Sequence, residues 1–326
     1  MPRLVLGLST AIVAVTEEAP FVVVTREAQG EACGLPFGPF NPAGDRTLEL
    51  SLRRWVSEQT GFEIGYVEQL YTFGDRGREA PLNDLHGADR VISISYLALT
   101  PSRADLEREE ARWRNWYDFF PWEDWRNGRP RVIDKEIAPR LQAWAKAAPT
   151  PALCAERRAR ARTFALDGAV WNEERALDRY ELLYEAGLAP EAARDRARFE
   201  GKAQPEMAPT PLAPGLGEPM QSDHRRILAT AIGRLRSKIK YRPIVFELAP
   251  DTFTLLHLQK MVEAISGLSL HKQNFRRLLE RTGLVEGTGA FDARAGGRPA
   301  ELFRCKRDAL LEKPISGVHV PAPRGD

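Results

Sequence analysis

The segment Leu48–Gly61, LELSLRRWVSEQTG, carries apolar residues at Leu48, Leu52 and Val56, with Trp55 on the flank. That spacing puts them on one face of a helix, and Gly61 stands where a left-handed residue can end it. On both sides of this helix the period shortens to two. Leu4–Val15 and Phe21–Thr25 precede it as strands rich in β-branched residues, separated by the turn-prone Glu17-Glu18-Ala19-Pro20. Tyr66–Gly74 and Val91–Leu99 follow it as alternating strands around a loop holding Asp75-Arg76-Gly77-Arg78. A lone amphipathic helix set among strands makes the front of the chain α+β.

Further on the texture changes. Trp116–Trp125, WYDFFPWEDW, is densely aromatic and reads as a hydrophobic plug. Residues 126–202 hold four runs rich in Ala, Arg, Glu and Leu at helical spacing, punctuated by Pro149, Pro151 and Pro190 and ended at Gly187. The ERRARAR run within them invites a nucleic-acid reading, but the interleaved acidic residues favour a solvated, salt-bridged helix face. Residues 203–222 are Pro-rich and read as a connector. At 326 residues the chain exceeds one small core. The three cysteines, Cys33, Cys154 and Cys305, share no metal-ligand spacing and read as reduced structural residues of an intracellular protein. No stretch of about twenty apolar residues exists, so no membrane span is expected. Leu4–Val15 has no basic lead-in beyond Arg3, so it reads as a strand and not as a signal peptide.

Charge is distributed unevenly. The chain as a whole carries +2, yet from Asp223 onward 19 Lys and Arg face 11 Asp and Glu. A basic C-terminal third behind an acidic front fits a DNA-binding module joined to another domain. Asp223 reads as the cap of a helix, HRRILATAIGRLRSKI, with Ile227, Ala231, Leu235 and Ile239 on its core face. Arg225, Arg226, Arg234, Arg236 and Lys238 would occupy the other faces, as a solvated surface or as phosphate contacts. Phe253–Ile265 and Leu270–Leu284 then form two helices about a turn at Ser266-Gly267, capped by Thr252 or Thr254 and by Ser269. The second helix buries Phe275, Leu278 and Leu279. It presents Gln273, Arg276, Arg277 and Glu280, with Lys272 and Asn274 beside them, which is what a recognition helix in a major groove requires. A glycine-rich loop, EGTGAFDARAGGRPA, and the strand-like Glu301–Arg304 make a wing that carries Arg294 and Arg298 toward the DNA backbone or minor groove.

Two resemblances follow from these residues. The segment ending at Gly61 resembles the Nudix helix, G-x5-E-x7-R-E-U-x-E-E-x-G-U with U aliphatic. Arg54, Val56, Glu58 and Phe62 keep the pattern, and Leu35-Pro36-Phe37-Gly38 resembles the LPGG phrase before it. Phe40, Arg46, Trp55 and Gln59 break it, three of them at glutamate positions. Mg²⁺ requires several hard oxygen ligands, and Glu58 alone does not supply them, so the domain reads as a sensor without catalytic residues. The phrases YVEQLYTFGDRGRE, VISISYLAL, HRRILATAIGRLRSKIKYRPIVFEL, FTLLHLQKMVEAISG and HKQNFRRLLERTGLVE followed by GGRPAELFR resemble the Nudix-related regulators of NAD metabolism of the NrtR type. Within that group they are most similar to its alphaproteobacterial NadQ branch.

The resemblance implies an α+β chain with a Nudix-like α/β/α sandwich, a helical insert and a C-terminal winged helix-turn-helix. The expected divisions are a sensing core over 1–125, insert and connector over 126–222, a linker helix over 223–240 and the DNA-binding domain over 241–326. It implies a cytoplasmic homodimer that represses NAD-biosynthesis genes from a palindromic double-stranded operator, with no membrane partner. It also implies an adenine-nucleotide effector (ADP-ribose, NAD or ATP) and no required cofactor or metal. Arg26, Leu35, Pro36, Phe37, Gly38, Arg54 and Glu58 would line the effector cleft. Lys272, Gln273, Asn274, Arg276, Arg277, Arg294 and Arg298 would contact DNA. The rival readings are a Mg²⁺-dependent nucleotide pyrophosphohydrolase, with Glu58 helped by Glu49, Glu63 or Glu68, and an effector-insensitive architectural DNA binder.

Overall fold

The computed structural model describes residues 3–16, 19–25, 32–78, 90–103, 105–200, 215–241, 244–292 and 299–306. Six strands form one sheet: β1 (Leu4–Val15), β2 (Pro20–Thr25), β3 (Phe37–Pro39), β4 (Tyr66–Phe73), β5 (Arg90–Leu99) and β6 (Ala111–Asn115). Their order is β4-β5-β1-β2-β6, with β3 pairing β1 off that path. The β1–β5 pair is parallel, from Leu4 opposite Arg90 to Val13 opposite Leu99, and the other pairs are antiparallel.

Side-chain alternation along β1 builds two cores. Leu8 and Ile12 join Leu52 and Val56 of α1 (Leu48–Thr60) on one face. Ala11 and Val13 join Ile227, Ala231 and Leu235 of α6 (His224–Tyr241) on the other. Helix, sheet and helix thus make the three-layer sandwich of a Nudix-like fold. Thr47 caps α1 by accepting from Leu50 N, and Gly61 ends it at φ 68°.

The insert is helical. A π-helical turn (Ile133–Ile137) leads into α2 (Ala138–Lys146), followed by α3 (Pro151–Ala161), α4 (Ala176–Glu185) and α5 (Pro190–Phe199). Pro151 and Pro190 occupy first-turn positions, where the missing N–H costs nothing. Trp116, Phe119, Phe120 and Trp122 lie in short 3-10 turns and their neighbouring residues, with no exposure. They are part of the same apolar cluster as α6, the insert and the C-terminal helices. The C-terminal elements are α7 (Leu255–Ser266), α8 (Lys272–Thr282), β7 (Val285–Asp292) and β8 (Ala300–Cys305). Strands β7 and β8 pair antiparallel, and a bridge between Phe253 and Phe303 ties them to the approach to α7.

Three sequence expectations change. Most basic residues of α6 are not solvated, Arg234 being exposed, and each is engaged within the protein. Arg225 and Arg236 are 1% and 2% exposed, Arg226 pairs with Asp75, Glu181 and Asp223, and Arg234 and Lys238 pair with Glu68. Sheet, insert and α7 enclose this helix, and a charge so placed must find a partner. Ser269 does not cap α8. His271 holds that position without a side-chain bond, and Ser269 Oγ donates to Arg126 O at 2.7 Å. Residues 286–292, read as part of a loop, belong to β7, which has a register shift between Gly287 and Phe291.

Both α7 and α8 end on left-handed glycines, but their surroundings differ. A Cβ on Gly267 (φ 73°) would stand 2.3 Å from Glu123 O, whereas one on Gly283 (φ 63°) would meet nothing within 4 Å. Gly283→Ala should therefore lower stability by only the left-handed strain of about 1–2 kcal/mol. Gly267→Ala should add an overpacking cost of about 1–3 kcal/mol. Urea unfolding of the two variants measures the difference.

Candidate functional site

The Nudix-like positions of α1 surround strand β3. Trp55 Nε1 donates to Pro39 O at 2.8 Å, and the indole covers Gly38 so closely that a Cβ there would lie 2.2 Å from it. Gln59 clasps the Phe37 peptide from both sides, donating from Nε2 to Phe37 O at 2.6 Å and accepting from Phe37 N at 3.1 Å. Arg54 bonds Asp45 at 3.0 Å and reaches Glu58 at 3.4 Å. The Ser51 hydroxyl, the Asn41 N–H and Arg54 hold Asp45 below the usual carboxylate range. Among the described residues no group of three or more His, Cys, Asp or Glu side chains could hold a metal ion. Trp55 and Gln59 are committed to β3, so this donor set does not fit Mg²⁺.

The Leu35–Gly38 turn faces a second element as well. Leu35, Pro36 and Gly38 are buried and Phe37 is half-buried. Leu35 N donates to His224 Nδ1 at 2.9 Å, and the Phe37 ring meets the imidazole edge-on at 5.1 Å. An accepting Nδ1 puts the proton of the neutral ring on Nε2. Burial first, and the charge of Arg194 second, press the His224 pKa down to about 3.

Beside this histidine a small cavity of about 10 Å³ opens between the ends of β4 and β5 and the start of α6. Phe73, Arg78, Ser93, Ser222, Asp223 and His224 line it. Ser222 has φ 45°, an unusual conformation for a residue with a side chain. Its Oγ, the Gln221 Nε2 and the His224 Nε2 are buried without a hydrogen-bond partner among the described residues. Arg78 reaches Asp223 at 2.8 Å, Glu181 at 3.3 Å and Asp195 at 3.9 Å, and stacks 3.8 Å over Tyr184. Burial pushes the Asp223 pKa up to about 6 against the opposing pull of Arg78 and Arg226. The lining sets one guanidinium, Arg78, beside the carboxylates of Asp75 and Asp223, and the volume has room for about one water.

The predicted effector residues thus fall into two groups joined by β3. Arg54 and Glu58 sit on α1, on one side of the sheet, and Leu35–Gly38 reaches across to α6 on the other. Arg26 lies outside the described residues. Sequence reasoning missed Arg78, Ser93, Ser222, Asp223 and His224 as cleft residues. The DRGR loop was the available signal, since two arginines beside a glycine at a strand end mark a polar turn.

At the other end of the chain, Thr254 caps α7 by accepting from His257 N at 3.0 Å. Helix α8 buries Phe275 and Leu279 and exposes Lys272, Gln273, Asn274, Arg276 and Arg277. None of these five side chains has a hydrogen bond or ion pair among the described residues. Asn274 and Arg277 border an open groove of about 280 Å³ along the helix. Arg294 and Arg298 lie outside the described residues.

Residues 245–305 match the family described as the NrtR DNA-binding winged helix domain. This part of the chain is an NrtR-type winged helix domain. Over 82 residues the chain is 42% identical to the ADPR responsive transcriptional repressor NtrR of Acinetobacter baylyi, covering 25% of this chain and 32% of that protein. The match therefore spans about a third of that relative's length. Crystal structures of Shewanella oneidensis NrtR, alone and with a 27mer DNA, are similar over nearly the whole chain. They give TM-scores of 0.52 and 0.53, at 18% and 17% identity. The first covers 94% of this chain and 95% of that one, and the second covers 98% and 99%. A MutT/nudix family protein from Enterococcus faecalis is similar at a TM-score of 0.51 and 15% identity, covering 94% of this chain and 88% of that one. These likenesses establish the fold, a Nudix-like domain followed by the winged helix.

The two buried titratable neighbours at the cleft have opposite linkage. Asp223 keeps its proton longer when folded, so its contribution is lost as pH rises from about 4 to 6. His224 stays neutral when folded, so its contribution is lost as pH falls from about 6.5 to 3. Relative to the parent protein, Asp223→Asn should make stability climb more steeply with pH in the acid range, and His224→Gln less steeply. The limit is about 1.4 kcal/mol per pH unit for each, measured by urea unfolding at pH 4, 5 and 6.

Proposed function

We propose that this chain is a ligand-responsive transcriptional repressor that senses an adenine nucleotide in a non-catalytic Nudix-like domain and binds DNA through its winged helix. The observation that carries the reading is the row Lys272, Gln273, Asn274, Arg276 and Arg277, exposed and without a hydrogen bond or ion pair among the described residues, on the second helix of an NrtR-type winged helix domain. Arginine, lysine, glutamine and asparagine supply donors for base edges and phosphates. Such a row on a structural helix would be expected to pair with neighbouring acids, as the α6 basic residues do.

ADP-ribose is the first effector to test, because the Acinetobacter relative is an ADPR responsive repressor; NAD and ATP follow as adenine nucleotides of related shape. In this reading residues 1–125 with the helix over 223–240 sense, 126–222 buttress the sensor, and 241–326 read DNA. Effector oxygens enter at Leu35–Gly38 and the N-terminus of α6, where Arg78, Ser222 and His224 offer donors, with Arg54 and Glu58 contributing from α1 and Arg26 as a further candidate. Binding shifts α6. In a homodimer on a palindromic operator, two recognition helices held roughly 34 Å apart would lose that spacing. The targets are genes of NAD biosynthesis, and the place of action is the cytoplasm. Two glutamate positions of the Nudix pattern hold β3 instead, which supports sensing without hydrolysis.

The test is a duplex selected by the protein from a random-sequence pool. ADP-ribose should release it with a coupling of about 1–3 kcal/mol, roughly 5–150-fold in affinity. Arg276→Ala should weaken binding by about 1–3 kcal/mol while leaving the melting temperature unchanged. Unchanged affinity in that variant would move the reading face elsewhere on α8. Incubation with ADP-ribose and Mg²⁺ should yield no AMP, and steady turnover would replace the sensor with a hydrolase.

A further inference from the structure

The turn between α7 and α8 sets the direction of the recognition helix, and three carbonyls at the end of α7 and the start of this turn are bonded to other parts of the chain. Ala264 O accepts from the Tyr117 hydroxyl at 2.7 Å, Ile265 O from Arg236 Nε at 2.9 Å, and Gly267 O from Trp125 N at 2.7 Å. Ser269 Oγ donates to Arg126 O at 2.7 Å. The left-handed Gly267 lets this turn lie against Glu123 O without a Cβ between them.

One buried charge organises these bonds. Glu123 is unexposed, and its carboxylate takes Arg179 Nε at 2.6 Å and Arg179 Nη2 at 2.8 Å on one side and Arg236 on the other. Arg236 also donates to Glu173 O at 3.0 Å and to Glu123 O at 3.2 Å. Arg179 donates to Asn172 O at 2.8 Å. Apart from Ile265 O on α7, the partners of Arg236 lie on the insert and the aromatic segment, so its guanidinium is held from both sides.

Arg236 and the cleft share a single rod. His224 and Arg236 are twelve residues apart on the uninterrupted α6, roughly 18 Å along the axis at 1.5 Å per residue. A tilt or axial shift of α6 at its cleft end is therefore delivered to Arg236, and from there to Ile265 O. The Arg179–Glu123 pair supplies the fixed point against which such movement registers.

We infer that Arg236, held by Glu123 and Arg179, is the positioning residue that couples the α6 cleft to the recognition helix through the α7–α8 turn. This rests on the regulator reading above and names the residues that transmit its signal. A structural role alone would weaken the fold with and without effector alike. A coupling role changes the ratio of the two DNA affinities.

The experiment uses the full-length protein, the selected duplex and ADP-ribose as effector. Arg236→Lys keeps a positive charge opposite Glu123 and removes the guanidinium fork, and Tyr117→Phe removes only the hydroxyl bonded to Ala264 O. Both variants should bind ADP-ribose as tightly as the parent protein in calorimetry. The release of duplex by ADP-ribose should shrink from the parent's value to less than about twofold in Arg236→Lys and to an intermediate value in Tyr117→Phe. A ratio kept at the parent's value in both variants, whatever their stability, overturns the inference. Failure of the parent itself to respond to ADP-ribose sinks the choice of effector, and hydrogen exchange then decides the joint. Faster exchange confined to residues 264–269 in Tyr117→Phe, with weaker duplex binding, supports it. Unchanged exchange and unchanged binding overturn it.

Discussion

A helix enclosed on most sides by its own protein has little room for an unpaired charge, and α6 carries four arginines and two lysines. Isolated guanidinium groups at such sites would be prohibitively unfavourable. The fold resolves this by surrounding α6 with carboxylates and carbonyls from every neighbouring layer. Glu68 and Asp75 come from the sheet side, Glu173, Glu174, Glu181 and Glu191 from the insert, and Glu123 from the aromatic segment. Ion pairing of this kind contributes little net stability once desolvation is counted. It does fix register, because each arginine on α6 has a particular partner on a particular element.

That register explains the helical insert. Helices α4 and α5 bring Glu181 and Glu191 to α6, Glu181 and Asp195 to Arg78, and Arg179 to Glu123. The insert thus closes the α6 side of the sandwich and connects the strand-end cleft to the winged helix. Burial pushes the Glu123 carboxyl upward, and the Arg179 and Arg236 charges overcome it and leave it below the usual range. The carboxylate therefore remains a charged anchor across the range in which most proteins are folded.

Much of this architecture was legible in the sequence, because period and punctuation report local geometry. Period-two runs gave β1, β2, β4 and β5, and Gly61, Gly187, Gly267 and the prolines marked helix ends. The shorter strands escaped for physical reasons. Strand β6, ARWRN, alternates apolar and basic residues at a sheet edge, where a charged side chain reads like a loop. Strand β3 is three residues long and is held by side chains of α1. The winged helix stood out because the outer face of α8 is built from polar residues, five of which have no hydrogen bond or ion pair among the described residues. The cleft was harder, since Ser222, Asp223 and His224 acquire their roles only when α6 docks beside β3 and β4. Charge was the most misleading signal: of the arginines that suggested a solvated or DNA-facing surface on α6, Arg225, Arg226 and Arg236 are internal fasteners.

The clasp on β3 bears on how this chain could change. Trp55 and Gln59 occupy positions where a hydrolase would keep acidic ligands, and each has taken up a mechanical task in the strand that lies beneath it. Reinstating one acid would set a carboxylate against the Phe37 or Pro39 carbonyl and loosen β3 before any cation could be gathered. The same two side chains cannot both clasp β3 and gather a cation, so the strand's own foundations compete with any metal centre at this place.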